Sequence, residues 1–302
     1  MGKAIVVTSG KGGVGKTTTT AALGAALASR GEKVVVVDFD VGLRNLDLVM
    51  GAERRVVYDL INVIHGEAKL QQALIRDKRL ENLYLLPASQ TRDKDKLTPE
   101  GVEQVITSLK KNFDWVICDS PAGIERGPTM AMRHADVAIV VTNPEVSSVR
   151  DSDRIIGLLD AKTARAERGE RVEKHLLLTR YDPARAEAGD MLQVDDVLEI
   201  LSIPLLGIIP ESTDVLRASN LGTPVTLADK HSETAQAYFA AARRLTGESV
   251  PITIPTDRRG FFGKFGGEFP VRNAGSWVKT GAKTLAGIFD EFFGRVGILD
   301  RL

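Results

Sequence analysis

Three features stand in a row near the start of the chain. A β-branched apolar run, Ala4-Ile5-Val6-Val7-Thr8, leads into a glycine loop, Ser9-Gly10-Lys11-Gly12-Gly13-Val14-Gly15. The stretch that follows, from Lys16-Thr17-Thr18 to Ser29, is rich in Ala and Leu at helical spacing and is stopped by Gly31. A strand, a glycine loop and a helix in that order form a βα unit whose turn can wrap a phosphate. Gly10, Gly12, Gly13 and Gly15 are expected to take φ > 0 and turn bare N–H groups toward phosphate oxygens. The helix beginning at Lys16 adds its free N–H groups and its positive dipole end. Lys16 is placed to reach the β- and γ-phosphates of a nucleotide, and the Thr17 hydroxyl to hold Mg²⁺. Gly10 through Thr18, with Val14 inside the loop, is therefore the candidate nucleotide-phosphate-binding segment.

Lys11 adds a second lysine at the mouth of the loop, so the run reads K-G-G-V-G-K-T-T. With this pattern the chain resembles the deviant Walker A ATPases, the class that includes MinD, ParA and the nitrogenase iron protein. The resemblance implies that Lys11 crosses a dimer interface to the nucleotide of the partner subunit. It places Lys11 and Lys16 among the catalytic candidates.

Apolar runs at Lys33–Phe39, Leu83–Pro87, Trp115–Cys118, Val137–Thr142, His175–Thr179 and Leu205–Ile209 read as strands buried on both faces. Helical patterns alternate with them at Val57–Ile64, Pro99–Lys110, Ser148–Leu159, Asp195–Leu201 and Thr234–Leu245. The expected fold class is α/β: a doubly wound, mostly parallel sheet of the phosphate-loop NTPase kind, followed by a C-terminal amphipathic tail.

Ligands of such sheets bind at the carboxyl ends of strands, and two acidic stations fall there. In Val37-Asp38-Phe39-Asp40 either Asp38 or Asp40 is able to orient Mg²⁺-bound or attacking water. In Trp115-Val116-Ile117-Cys118-Asp119 an apolar strand ends in a carboxylate suited to support Mg²⁺ through water. Asp38, Asp119 and Thr17 are thus the metal candidates. The resemblance implies that Asp40, the second aspartate of the D-x-D, positions the attacking water. Further segments, Gly42–Asp47, Pro87–Asp95, Asp119–Glu125, Thr142–Arg154 and Leu216–Asn220, are similar to the MinD branch of the class, and the resemblance spans residues 1–246. It also points to Arg180 and Pro210 as adenine contacts. Asp182 departs from the family's usual asparagine and lacks the amide's donor.

Lys+Arg and Asp+Glu are both 40, which gives no global basic charge for nucleic acid. The single Cys118 provides no disulfide and no metal cluster, as expected in a reducing cytoplasm. No run of about 18 apolar residues is present to span a bilayer.

After Leu245 the character changes. Residues 247–257 carry Pro251 and Pro255 and are expected to be an extended linker between a 1–246 ATPase domain and the tail. In the 258–267 segment Phe261, Phe262 and Phe265 share one helical face, with Arg258, Arg259 and Lys264 available to anionic headgroups. The alternative is an aromatic cluster folded back on the domain. Three buried Phe give about 5–9 kcal/mol at most, and ordering so short a helix removes much of that. One tail should bind weakly, and two tails on a dimer should bind well.

Residues 268–302 continue beyond the family pattern with Leu285, Ile288, Phe289, Phe292, Phe293, Val296 and Leu299 at helical steps. A second membrane segment, a partner-binding helix and an accretion without a role all fit them.

The resemblance implies an ATPase that dimerises with ATP, sits on the cytoplasmic face of the inner membrane and helps position the division septum. Its partners would be a MinC-like division inhibitor and a MinE-like ATPase activator, the former docking near Ser148–Asp153. The alternatives are a ParA-type DNA- or cargo-partitioning ATPase and a nucleotide-binding scaffold without useful catalysis.

Overall fold

The computed structural model describes residues 1–256, apart from Asp93 and Glu125. Eight strands form one sheet: β1 (Lys3–Thr8), β2 (Val34–Asp38), β3 (Ile75–Arg76), β4 (Leu83–Leu86), β5 (Trp115–Asp119), β6 (Val137–Thr142), β7 (Glu173–Tyr181) and β8 (Leu205–Pro210). Their order is β3-β4-β2-β5-β1-β6-β7-β8. All neighbours pair in parallel except β3, a two-residue antiparallel edge on β4. The expected doubly wound, mostly parallel sheet is the fold observed.

Every residue of β2, β5 and β6 is buried. Alternate side chains serve opposite faces, as the two-residue period of a strand requires. Val6, Val35, Val37 and Val116 join one core, with residues of the Pro99–Asn112, Val146–Lys162 and Val194–Leu201 helices. Ile5, Val7, Val34, Val36 and Ile117 join the other, with the Lys16–Ala28 and Glu233–Leu245 helices. Beyond its first turn the Lys16–Ala28 helix is buried all round, which suits the small Thr, Ala and Gly and the two leucines that follow Thr18.

Local chemistry sets the helix boundaries. The helix expected from Val57 begins at Leu60, because Asp59 accepts from the Ile61 and Asn62 N–H groups and caps it. Ser232 caps Glu233–Leu245 in the same way through the Ala235 N–H. The strand β3 and the helices Arg126–Met132 and Thr213–Asn220 have no counterpart among the sequence expectations. Among the described residues no helix is long and apolar enough to cross a membrane. The Phe261, Phe262, Phe265 and Lys264 expectation, like the whole of 258–302, lies outside the described residues.

Candidate functional site

The central strand β1 ends against β5 on one side and β6 on the other, where the winding of the sheet reverses. Open α/β sheets bind ligands at such a crevice, and the loop Ser9–Gly15 occupies it. Only two of its four glycines adopt the expected positive φ, Gly13 at 77° and Gly15 at 97°. Gly10 answers a different need: a Cβ there would lie 2.3 Å from the Asp151 carbonyl oxygen. The loop is thus packed directly on the Val146–Lys162 helix, and no side chain larger than hydrogen fits between them. A Cβ on Gly12 would meet only Ala122, at an ordinary 3.9 Å.

Gly15 caps the Lys16–Ala28 helix in the left-handed conformation, without a side-chain acceptor and with no acidic residue in the first turn. The N–H groups at this end therefore have neither an intrahelical acceptor nor a competing carboxylate, which suits a phosphate. Lys16 is 8% exposed and folds onto the loop, where its Nζ donates to Ser9 Oγ at 3.0 Å. Ser9 Oγ donates in turn to the Lys11 carbonyl at 2.7 Å. Burial lowers the Lys16 pKa, while the charges of Asp119 and Asp40 act to raise it. Ser9, buried at the heart of this network, is absent from the sequence candidates.

Asp38 and Asp119 stand directly across from each other at the ends of β2 and β5. Both are buried, at 0% and 1% exposure. Asp38 accepts from the Asp40 N–H at 2.8 Å and the Leu46 N–H at 3.3 Å. Burial, then the neighbouring Asp119 charge, pushes Asp38 up to about 8. Burial likewise pushes Asp119 up to about 7, against the pull of the Thr17 hydroxyl and the Lys16 charge. Thr20 also donates to Asp119 Oδ1, at 3.2 Å, and is a second site neighbour outside the sequence candidates.

Among the described residues no three His, Cys, Asp or Glu side chains converge on one point. Yet Thr17, Asp38 and Asp119 meet in one buried corner, where two crowded carboxylates resist ionisation. Hard oxygen donors and an excess of negative charge fit Mg²⁺, with phosphate oxygens and water completing its shell.

Lys11 is held within its own chain. Its Nζ donates to Ser147 Oγ at 2.9 Å and to Glu145 Oε2 at 3.2 Å, where the Val146–Lys162 helix begins. The lysine and the glutamate are 40% and 43% exposed, so solvent weakens the pair and Lys11 can move to another anion at little cost.

On the other side of the loop, Thr179 at the end of β7 donates to the Val14 carbonyl at 2.7 Å. Arg180 follows in the left-handed region at φ 54°, where the β7–β8 pairing is irregular between Leu178 and Tyr181. Tyr181 pairs with Pro210, so Arg180 and Pro210 reach the same strand end. Asp182 acts locally. Its carboxylate caps the Pro183–Glu187 helix by accepting from Ala184 N at 2.9 Å and Arg185 N at 3.3 Å.

A glycine loop at a helix N-terminus, a buried lysine and two strand-end aspartates together define a nucleotide-binding ATPase of the phosphate-loop class. Comparison with known proteins narrows this. The chain belongs to the CobQ/CobB/MinD/ParA nucleotide-binding family, whose domain matches residues 5–225. It is 60% identical over 271 residues to the septum site-determining protein MinD of Escherichia coli K12, covering 88% of this chain and all of that one. Among solved structures it is similar to the MinC:MinD cell division protein complex of Aquifex aeolicus (TM-score 0.72, 44% identity, 82% of this chain and 98% of that one). It is also similar to the MinD of Pyrococcus horikoshii complexed with Mg-ADP (TM-score 0.72, 34% identity, 81% and 96%).

Proposed function

We propose that this protein is an ATP-driven membrane switch of the MinD kind, which helps position the division septum by recruiting a division inhibitor. The observation that carries the reading is Lys11: a second lysine at the loop mouth, exposed, loosely held, and one side chain away from the start of the Val146–Lys162 helix. The near-complete 60% identity to a septum site-determining protein supports the cellular role. The solved MinC:MinD complex of a relative supports a MinC-like partner.

In this reading the loop N–H groups and Lys16 hold the β- and γ-phosphates of ATP. Thr17 would hold Mg²⁺, with Asp38 and Asp119 supporting it through water, and the ion would supply charge neutralisation at the phosphate oxygens. Asp40 orients the attacking water, and Arg180 and Pro210 border the base. Lys11 leaves Glu145 and Ser147 for the nucleotide of a second subunit, so that ATP makes the homodimer. The dimer carries two tails, each with Phe261, Phe262, Phe265 and Lys264, to the anionic cytoplasmic face of the inner membrane. A MinE-like activator would then speed a slow hydrolysis and release them.

The DNA-partitioning alternative needs a basic surface and a salt-steep affinity, and the balanced charge gives it no support.

The deciding experiment is co-sedimentation with anionic lipid vesicles, comparing the full chain with truncations before Arg258 and after Gly267. Binding with ATP, weak binding with ADP, and loss of binding in the shorter truncation are the expected results. Equal binding in both nucleotides would sink the switch.

A further inference from the structure

The stretch after the last helix does not leave the domain where its prolines suggest. The Glu233–Leu245 helix ends in a tight C-terminal turn, with Gly247 at φ 89° and its N–H bonded to the Arg244 carbonyl. Glu248 folds back to Arg243 Nε at 2.7 Å and also pairs with Arg30. The chain then runs along the domain: Ile252 and Ile254 pack against the core that holds the Val146–Lys162 helix residues, and Pro255 is buried.

One side chain ties this course down. Arg244 Nε donates to the Val250 carbonyl at 2.8 Å, one terminal nitrogen donates to the Leu206 carbonyl of β8 at 2.7 Å, and the other donates to the Pro251 carbonyl. Its acceptors are all backbone oxygens, and burial, then the Arg243 charge, pulls its pKa down. A guanidinium satisfied by three backbone carbonyls acts as a planar fork fixing two chain segments relative to each other, a geometry that lysine cannot reproduce.

We infer that Arg244 is a positioning residue that straps residues 248–255 to the domain, and so fixes the point from which the C-terminal segment departs. The inference rests on the membrane reading above and deepens it. A free tether of residues 247–256 would have an r.m.s. length of about 17 Å. Holding it on the domain removes that slack from each tail. For a single tail the slack is immaterial, because one anchor binds equally well on a long or a short tether. For a dimer it matters, since the second tail binds at an effective concentration that falls roughly as the −3/2 power of tether length. The strap therefore strengthens the ATP state selectively and leaves the monomer weakly bound.

The test uses the full chain with Arg244→Ala, Arg244→Lys and the double variant Ile252→Ser/Ile254→Ser, which loosens the strap from its apolar side and leaves Arg244 intact. Hydrogen exchange reads strap opening at the Val250, Ile252, Thr253 and Ile254 amides, and vesicle co-sedimentation with ATP and with ADP reads the consequence. All three variants should lose protection at the strap. They should bind vesicles about threefold or more weakly with ATP, bind unchanged with ADP, and hydrolyse ATP at the basal wild-type rate. An open strap with undiminished ATP-state binding would overturn the proposal, as would full protection in Arg244→Ala. Wild-type binding that ignores nucleotide would instead overturn the underlying membrane switch, so the two failures are told apart.

Discussion

The two ends of the sheet treat their carboxylates in opposite ways. At the C-terminal ends of β2 and β5, Asp38 and Asp119 lie in register, buried, and pushed up by burial and by each other. At the opposite end, just before β6, burial alone would raise Asp136 too, but its partners hold it below the usual carboxylate range. It accepts from the Ala4 N–H at 2.9 Å, Lys110 at 2.6 Å and Arg165 at 2.9 Å. Asp136 is a finished structural joint between β1, β6 and two helices. The Asp38–Asp119 pair is unfinished, with less cation nearby than its charge calls for. In the reading proposed above, Lys16 and Mg²⁺, which the donor set of this corner fits, would supply the missing charge.

The largest expected effects fall at the unfinished end. Lys16→Ala removes the buried cation that folds onto the loop and, in the proposed reading, faces the phosphates; ATP turnover should fall by about 100-fold or more, with ATP-dependent dimerisation lost in light scattering. Asp40→Ala should separate these readouts: turnover falls by about 100-fold while the ATP dimer persists. Unimpaired turnover in Asp40→Ala would remove that aspartate from the mechanism.

The second effect is on pH. Asp38 and Asp119 have pKa values raised in the folded state to about 8 and about 7, from 3.8 for an ordinary aspartate. Between about pH 4 and the folded values of about 7 and about 8, the folded state therefore holds protons that the unfolded chain has already released. The favourable contribution is complete below the unfolded pKa and is lost as pH rises through the folded values, by at most about 1.4 kcal/mol per pH unit per group. Nucleotide-free protein should thus melt at a higher temperature at pH 6 than at pH 8. Asp38→Asn, which keeps an acceptor for the Asp40 N–H, should flatten that slope. Saturating Mg-ATP should flatten it in the wild type, because Mg²⁺ beside the pair favours the ionised carboxylates and so stabilises the folded state more as pH rises. A slope of the opposite sign in differential scanning calorimetry would refute the picture of two crowded carboxylates.

What is legible in the sequence follows the same division. The phosphate loop, Asp38 and Asp119 are readable because their chemistry is written in consecutive residues: a glycine turn, a lysine at a helix start, an acid ending an apolar strand. The parallel sheet is readable from its doubly buried apolar runs. What escapes is tertiary. Ser9 looks like an ordinary loop serine until Lys16 folds onto it. Thr179 reaches Val14 across 165 residues of sequence, and no local pattern marks that pairing. Gly10 reads as a conformational glycine, whereas it is a close-approach glycine set by Asp151. Asp182 is the exception: the cap it makes on Pro183–Glu187 is local, and an aspartate followed by a proline is a helix-start signal that the sequence does carry. β3, at two residues, carries too little pattern to be seen at all. Asp136 precedes a strand with no motif around it, and its importance lies wholly in what packs there.

At the finished end the expected change is smaller and of another kind. Asp136→Ala leaves Lys110 and Arg165 facing each other and strips an acceptor from the Ala4 N–H. Charged hydrogen bonds of this sort are worth about 1–3 kcal/mol, so chemical denaturation should register a loss of that size. ATP affinity, measured by isothermal titration, should stay within about twofold, because no partner of Asp136 touches the loop. A large loss of ATP affinity would mean that the two ends are not independent.

The smallest change probes the contact between the phosphate-loop helix and the Glu233–Leu245 helix. Tyr238, fully buried in the Glu233–Leu245 helix, shares a 3.0 Å hydrogen bond with Thr19 one turn into the phosphate-loop helix. Burial pushes its phenol up to about 12, against the pull of Thr19, so it stays neutral and its role is confined to this contact and to packing. Tyr238→Phe keeps the ring and deletes one hydroxyl. The Thr19 hydroxyl can turn to the carbonyl one turn back, as threonine does in helices, so no buried donor is stranded. The cost should be about 0.5–1.5 kcal/mol, with the pH slope unchanged and ATP affinity the same within experimental error. If ATP affinity shifts by about threefold or more at so small a stability cost, the Glu233–Leu245 helix senses the loop. Nucleotide state would then have a direct path to Arg244 in the same helix, and the strap would be a moving part rather than a fixed one.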